Sequence, residues 1–225
     1  MIPWEFLESA RVPGDGGEIC LYRRGEEFSI RVGNRELMNR RVHGSEDALA
    51  ELACKRIAGR PRPRILIGGL GMGFTLAATL RRLSPDGRVA VAELVPAVVG
   101  WNRGPLADLA GRPLQDDRIT VHEVDVAEML RARSQIYDAI LLDVDNGPEA
   151  LARKDNDWIY ARPGLEAAHA ALRPGGVLAV WSSGPNHVFI QRLRRVGFTV
   201  DEVHVPARDS RKGRRHTIWL AGRSS

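Results

Sequence analysis

The segment Arg64-Ile65-Leu66-Ile67-Gly68-Gly69-Leu70-Gly71-Met72-Gly73-Phe74-Thr75 constrains this chain more than any other. An apolar run of strand character stops at a cluster of glycines. Apolar residues at helical spacing (Leu76, Ala77, Leu80, Leu83) follow it. Strand, glycine-rich turn and helix, in that order, open a nucleotide-binding α/β unit. Glycines let the backbone bend and approach a ligand closely, and a helix N-terminus turns N–H groups toward it. A tight strand-to-helix turn with no ligand would use the same letters, so the other strand ends have to be read with it.

Their positions are informative. After the turn cluster Ser84-Pro85-Asp86-Gly87, the strand Arg88 to Glu93 closes on a carboxylate 24 residues past Gly69. In nucleotide-binding α/β folds an acid at this place accepts hydrogen bonds from ribose hydroxyls; otherwise Glu93 is an ordinary strand-end glutamate. A third strand, Ile119 to Val124, runs into Asp125. That residue could take a hydrogen bond from an exocyclic amine of adenine, cap the helix Ala127 to Arg131, or do both. The fourth, Tyr137 to Leu142, runs into Asp143-Val144-Asp145-Asn146-Gly147-Pro148. Carboxylates at the carboxyl end of a central strand lie where open α/β sheets bind substrate, and Asp143 there can accept a proton or hold a cationic amine. Asn-Gly-Pro makes a turn in either case. Asn156, Trp158 and Tyr160 follow in a loop, and Trp158 or Trp181 could stack on a cation.

The remaining elements complete the architecture. Glu18 to Arg23, Glu27 to Val32 and Glu36 to Met38 read as antiparallel strands, a small β appendage over residues 1–42 ahead of a main domain over 43–225. Ser45 is the expected N-cap of a helix with Ala48, Leu49, Leu52, Ala53 and Ile57 on one face, stopped by Gly59, Pro61 and Pro63. Later come a helix from Leu165 to Leu172, a fifth strand from Val177 to Trp181 and a helix from Val188 to Arg195. Two final strands with no helical pattern between them must pair as a hairpin. The fold class is α/β: a doubly wound, mostly parallel, seven-stranded sheet with an N-terminal β appendage.

Composition excludes some partners. The net charge is +5, yet only three of the 33 basic residues are lysines and the arginines are scattered among acids, which argues against a nucleic-acid surface. The densest cluster, Arg208 to Arg215, reads as a solvated loop between two late strands. No stretch is long and apolar enough for a membrane span, and the start lacks the pattern of a secretory signal. Cys20 and Cys54 have no metal-type spacing and read as free thiols, which fits a cytoplasmic location and no bound metal.

A dinucleotide fingerprint would need a third glycine where Phe74 stands; Gly69, Gly71 and Gly73 instead give G-x-G-x-G. That spacing resembles the cofactor loop of class I S-adenosylmethionine-dependent enzymes. Within that fold the details resemble the spermidine synthase (aminopropyltransferase) family. Ile67-Gly68-Gly69 is similar to the family's I-G-G loop opening, and Ala92 to Val98 to its V-E-I-D-P-x-V segment. Tyr137-Asp138 through Asp143, Gly147-Pro148 and Ile159-Tyr160 follow its catalytic loop.

The resemblance implies a transferase in which Gly68, Gly69, Gly71, Gly73, Glu93 and Asp125 bind cofactor and Asp143 orients or deprotonates a small-molecule acceptor. Asp145, Asn146, Trp158 and Tyr160 would line the acceptor's pocket. Two departures bear on the chemistry. The family's loop carries an Asp for the amine of the decarboxylated cofactor, and Gly71 stands in that place. The second acid of its D-x-x-D falls on Asn146, with Asp145 one place early. Asn39, His43 and Glu46 occupy the region of its Tyr-His-Glu stretch without that spacing. Methyl transfer from S-adenosylmethionine is therefore expected ahead of aminopropyl transfer from its decarboxylated form, with a non-catalytic cofactor-binding protein as the third reading. A homodimer is compatible with all three.

Overall fold

The computed structural model describes residues 2–14, 17–40, 43–132, 134–144, 157–206 and 215–224. Asp145, Asn146 and Asn156, and the arginine-rich stretch up to residue 214, lie outside the described residues.

Two sheets form. The first is antiparallel, in the order β1-β2-β3-β4: Glu5–Arg11, Glu18–Arg24, Glu27–Val32 and Arg35–Asn39. β1 precedes the strands expected from sequence; its apolar residues are too few to show a period, and it is fixed by pairing along β2. The second sheet is built from β5 (Arg64–Gly68), β6 (Arg88–Ala92), β7 (Ile119–His122), β8 (Tyr137–Leu142), β9 (Leu172–Ser182), β10 (Phe198–Pro206) and β11 (Arg215–Arg223). Its order is β10-β11-β9-β8-β5-β6-β7, parallel from β9 to β7, with β11 antiparallel to both neighbours. The doubly wound, seven-stranded arrangement and the terminal hairpin expected from the pattern are both present.

Strand alternation divides the core into two layers. Ile65, Ile67, Val89, Val91, Ala139 and Leu141 face α1 (Gly44–Arg56), α2 (Phe74–Arg82) and α3 (Pro96–Arg103). Leu66, Ile140, Leu142, Leu178 and Val180 face the other way. They pack on α4 (Val126–Ala132), the short α5 (Asp157–Tyr160), α6 (Arg162–Ala171) and α7 (His187–Val196). With helices on both faces, all of β8 is buried, which is why its sequence reads as a continuous apolar run rather than an alternating one. The first sheet joins the α1–α3 layer through Ile19, Leu21 and Ile30, and Trp101 Nε1 of α3 donates to Glu8 of β1 at 2.7 Å.

One charged group is buried at the amino end of β8. Asp138 receives Arg60 at 2.8 Å, Arg173 at 2.9 Å and the backbone N–H of Arg64 at 2.8 Å. It ties the proline-rich entry of β5 to the starts of β8 and β9, and so fixes the register of the central strands. Of the two thiols, Cys54 is buried in α1, where burial pushes it up to about 11, and Cys20 is half-buried in β2.

Three expectations need correction. Ser45 does not cap α1: the helix begins two residues earlier than a Ser45 cap would start it, at Gly44 with His43 at the cap position, and the Ser45 hydroxyl is drawn to Glu46 and His216. Trp158 and Tyr160 stand on the short helix α5 rather than in a loop, since Ile159 and Tyr160 are buried against the α4–α7 layer. β9 starts well before Val177, at Leu172, and the register against β8 shifts between Tyr137 and Ala139 to accommodate Pro174-Gly175-Gly176.

Candidate active site

The parallel register places the candidate residues. Gly68 pairs with Ala92 on one side and Leu142 on the other, and Ala92 pairs with His122. The next residues along three of these strands are Gly69, Glu93 and Asp143. They emerge together at the carboxyl edge, on either side of the point where the chain reverses its winding direction, and a crevice opens there. It holds about 940 Å³ including its mouth, and Gly69, Gly71, Glu93, Asp125 and Asp143 are among its lining residues.

The glycine loop is held from both flanks. Gly69 N–H donates to Ala92 O at 2.9 Å and Asp143 N–H to Gly68 O at 3.0 Å. Gly69 has φ 87°, and a Cβ there would lie 2.7 Å from the carbonyl oxygen of Asp143, so only glycine lets loop and strand end meet. Asn102 of α3, buried, donates to Gly71 O at 2.8 Å and supports the loop from behind. Gly73 then precedes α2, whose N-terminus carries the positive end of its dipole.

Three carboxylates differ in their settings. Glu93 is 8% exposed; one oxygen accepts from Leu70 N–H at 2.8 Å and the other from Val95 N–H at 2.9 Å. The glutamate thus pins the glycine loop to the start of α3 and is itself held rigid. Asp125 accepts from Ala127 N–H at 2.8 Å, the capping role allowed by the sequence, while it also lines the crevice. Asp143 accepts from the Thr75 hydroxyl at 2.7 Å. Burial raises its pKa and the Thr75 hydrogen bond pulls it back.

Trp158, Tyr160 and Trp181 are not among the residues that line the crevice. Trp158 carries the Arg131 guanidinium 3.9 Å over its ring. Tyr160 is buried, packs edge-on against Phe189, and donates to Val144 O at 3.1 Å. Trp181 meets the His216 ring edge-on at 4.7 Å.

Sequence reasoning missed the upper wall. Val12, Ile19, Ile30, Val32, Leu37 and Met38, all from the first sheet and its loops, close the crevice from above. The sequence shows alternation along β2 and β3, which carry Ile19, Ile30 and Val32, but not what that face would meet; Leu37 and Met38 come from β4 and Val12 from the turn after β1. Met38 is the most pointed case: a Cβ at Gly71, which has φ 53°, would lie 3.1 Å from its Sδ. Thr75, at the start of α2, was also passed over, although its hydroxyl reaches Asp143.

Comparison with known proteins agrees with this geometry. No family profile matches the chain. The chain is 36% identical over 121 residues to putrescine N-methyltransferase 2 of Nicotiana attenuata, covering 52% of this chain and 30% of that protein. It is 35% identical over 174 residues to the polyamine aminopropyltransferase of Corynebacterium efficiens, covering 75% of this chain and 31% of that protein. Spermidine synthase from Thermotoga maritima superposes with a TM-score of 0.77 at 16% identity, over 97% of this chain and 73% of that one. The chain has the fold of the spermidine synthases and is similar in sequence to putrescine N-methyltransferases and polyamine aminopropyltransferases. A spermidine synthase in complex with the transition-state analogue AdoDATO has the same fold, with a TM-score of 0.75 at 16% identity. The matched stretch spans only about a third of the length of the curated relatives, as in the 30% and 31% above. No helix among the described residues is long and apolar enough to cross a membrane.

Proposed function

We propose that this spermidine synthase-like chain is an S-adenosylmethionine-dependent transferase that moves a methyl group to a small-molecule acceptor. The observation that carries the choice of methyl transfer is the contact beside Gly71. An acidic side chain at that position would project toward the thioether of Met38; glycine leaves an apolar surface there instead. A carboxylate on the cofactor's tail then meets no fixed negative charge from the loop, and the N-terminus of α2 favours it.

The residues present fit the cofactor. Glu93 is held with both oxygens at the mouth of β6, where ribose hydroxyls would donate to it. Asp125 would accept from the adenine amine, the Gly68 to Gly73 backbone would pass beside the tail, and the wall from Val12 to Met38 would exclude water. Bound there, a sulfonium supplies an electrophilic carbon and a neutral thioether leaving group. Asp143 holds the acceptor in line and takes its proton, and the remaining task of the protein is position. Asp145, Asn146, Trp158 and Tyr160 belong to the acceptor side of this reading.

Aminopropyl transfer is the second reading, supported by the similarity to polyamine aminopropyltransferases. Titrating the purified protein with S-adenosylmethionine and with its decarboxylated form, then analysing products by mass with putrescine present, separates the readings. Methyl transfer requires turnover with the intact cofactor. Turnover with the decarboxylated form alone reverses the assignment, and tight binding with no turnover on any acceptor makes the chain a binding protein. Asp143→Asn should keep cofactor affinity near wild type while turnover drops by roughly 100-fold or more.

A further inference from the structure

Asp143, which lines the crevice, is held twice. Its N–H donates to Gly68 O at 3.0 Å, which fixes the end of the strand. Its side chain is held separately. The Thr75 hydroxyl donates to Oδ2 at 2.7 Å, the one hydrogen bond made to this carboxylate among the described residues. Thr75 is buried in the first turn of α2. A threonine within a helix can turn its hydroxyl back to the carbonyl four residues earlier. Thr79, one turn on, does this, donating to Thr75 O at 2.8 Å. For Thr75 the corresponding carbonyl is Gly71 O, which accepts from Asn102 of α3 at 2.8 Å. The Thr75 hydroxyl reaches across to the end of β8 instead.

We propose that Thr75 is a positioning residue for the transfer: its hydroxyl occupies Oδ2 of Asp143 and fixes the plane of the carboxylate, so that Oδ1 is the oxygen offered to the acceptor. This rests on the reading of Asp143 as the acceptor's base. A hydroxyl suits the task. With a single proton to give, it sets the direction of the carboxylate without cancelling its charge, as an arginine or lysine would. An acceptor N–H then gives its proton to Oδ1. The nitrogen keeps the electron pair, which forms the new bond to carbon as the carbon–sulfur bond breaks. Thr75 ends the step with the proton it began with. The same bond ties the base to the glycine loop. Gly69 to Gly73 lie between the two anchors of Asp143, Gly68 and Thr75, so the loop and the carboxylate keep a fixed relation.

The bond acts on the charged form. A hydroxyl that donates to a carboxylate favours ionisation, and here it opposes the burial that raises the Asp143 pKa. Other titratable groups surround the crevice and the starts of α1 and α2, and Thr75→Val removes no bond to any of them. Glu93 and Asp125 line the crevice with Asp143, and Glu46 of α1 feels its charge. Arg81 and Arg82 of α2 are held by Asp47 and Glu51 of α1. His43, at the cap of α1, is held by Asp47 at 2.8 Å and stacks on Phe74, the neighbour of Thr75. His216 of β11 lies 2.9 Å from the Ser45 hydroxyl. At the far end of β8, Asp138 is taken by Arg60 and Arg173.

Valine has nearly the shape of threonine without the proton, and serine keeps the proton without the methyl, so the two variants isolate the bond. Carbon NMR of the whole protein, labelled at aspartate Cγ, follows Asp143 directly once its signal is identified by loss in Asp143→Asn. Its midpoint should lie at higher pH in Thr75→Val and near wild type in Thr75→Ser. An unmoved midpoint in Thr75→Val overturns the proposal whether or not turnover is found. In turnover with S-adenosylmethionine and putrescine, Thr75→Val should lower kcat by roughly 10- to 100-fold. The KM for S-adenosylmethionine should hold, the acid limb of the kcat–pH profile should move to higher pH, and Thr75→Ser should recover most of the loss. In an Asp143→Asn background Thr75→Val should cost little more, because the group it acts through is gone. The same loss in both backgrounds, or a wild-type kcat in Thr75→Val beside a slow Asp143→Asn, overturns the positioning role alone. Wild-type turnover in Asp143→Asn overturns the base, and the positioning role with it.

Discussion

Replacing Gly69 by alanine tests the contact on which the site is built. Gly69 sits at φ 87°, and an added Cβ would fall 2.7 Å from the backbone carbonyl oxygen of Asp143. Two costs combine. The left-handed conformation costs a non-glycine residue roughly 1–2 kcal/mol. The clash is with backbone one residue past the fully buried β8 and tethered by its hydrogen bond to Gly68 O, and overpacking of this kind costs about 1–3 kcal/mol. Gly59 supplies the control: it has φ 81° but nothing within 4 Å of its Cβ position, so Gly59→Ala carries the first cost alone. At this chain length each kcal/mol lowers Tm by about 2–4 °C. Thermal unfolding by circular dichroism should therefore place Gly69→Ala roughly 2–12 °C below Gly59→Ala. Its cofactor affinity should fall as well, because the loop or the end of β8 must shift. Equal Tm values for the two variants would refute the close meeting of loop and strand, and with it the placement of Asp143 beside the glycines.

Other expectations follow from the same geometry. Glu93→Ala strands the Leu70 and Val95 N–H groups, at about 1–3 kcal/mol each, and should lower both Tm and S-adenosylmethionine affinity in calorimetry. Glutamine, keeping one acceptor oxygen, should fall between. Asp138→Ala removes the buried acceptor of Arg60, Arg173 and the Arg64 N–H and should cost about 1–3 kcal/mol in urea unfolding while, in whatever protein stays folded, cofactor affinity holds. Glu46 has a folded pKa of about 8, above its unfolded value, so the native state keeps a proton that the unfolded chain releases. Stability should therefore fall as pH rises from the ordinary carboxylate range toward 8, by up to about 1.4 kcal/mol per pH unit. Glu46→Gln should flatten that slope in unfolding curves taken across the window, leaving the part that Asp143, also raised by burial, contributes.

The central strands were legible because their signals are local. Arg64–Gly68 and Tyr137–Leu142 are apolar runs bounded by turn residues, and the glycine loop marks its own ends. Glu93, Asp125 and Asp143 could be nominated from position alone, since parallel strands in register must present their carboxyl ends together. What escaped depends on long-range pairing. Nothing near Met38 says that it will meet Gly71. Ser45 looked like a helix cap because a serine ahead of an apolar helical face usually is one; a histidine 171 residues away in the chain competes for its hydroxyl. Similarly, Asp138 looked like one member of a strand motif until three donors from distant segments converged on it.

The first sheet has a consequence for how ligand binding will be seen. Val12, Ile19, Ile30, Val32, Leu37 and Met38 reach the crevice from strands that hold no nominated catalytic group. Four short strands gain little by themselves, so their persistence is thermodynamically tied to whatever they cover. Occupancy below should slow amide hydrogen exchange in β2, β3 and β4. The clearest report of a bound nucleoside would then come from the part of the molecule that does no chemistry.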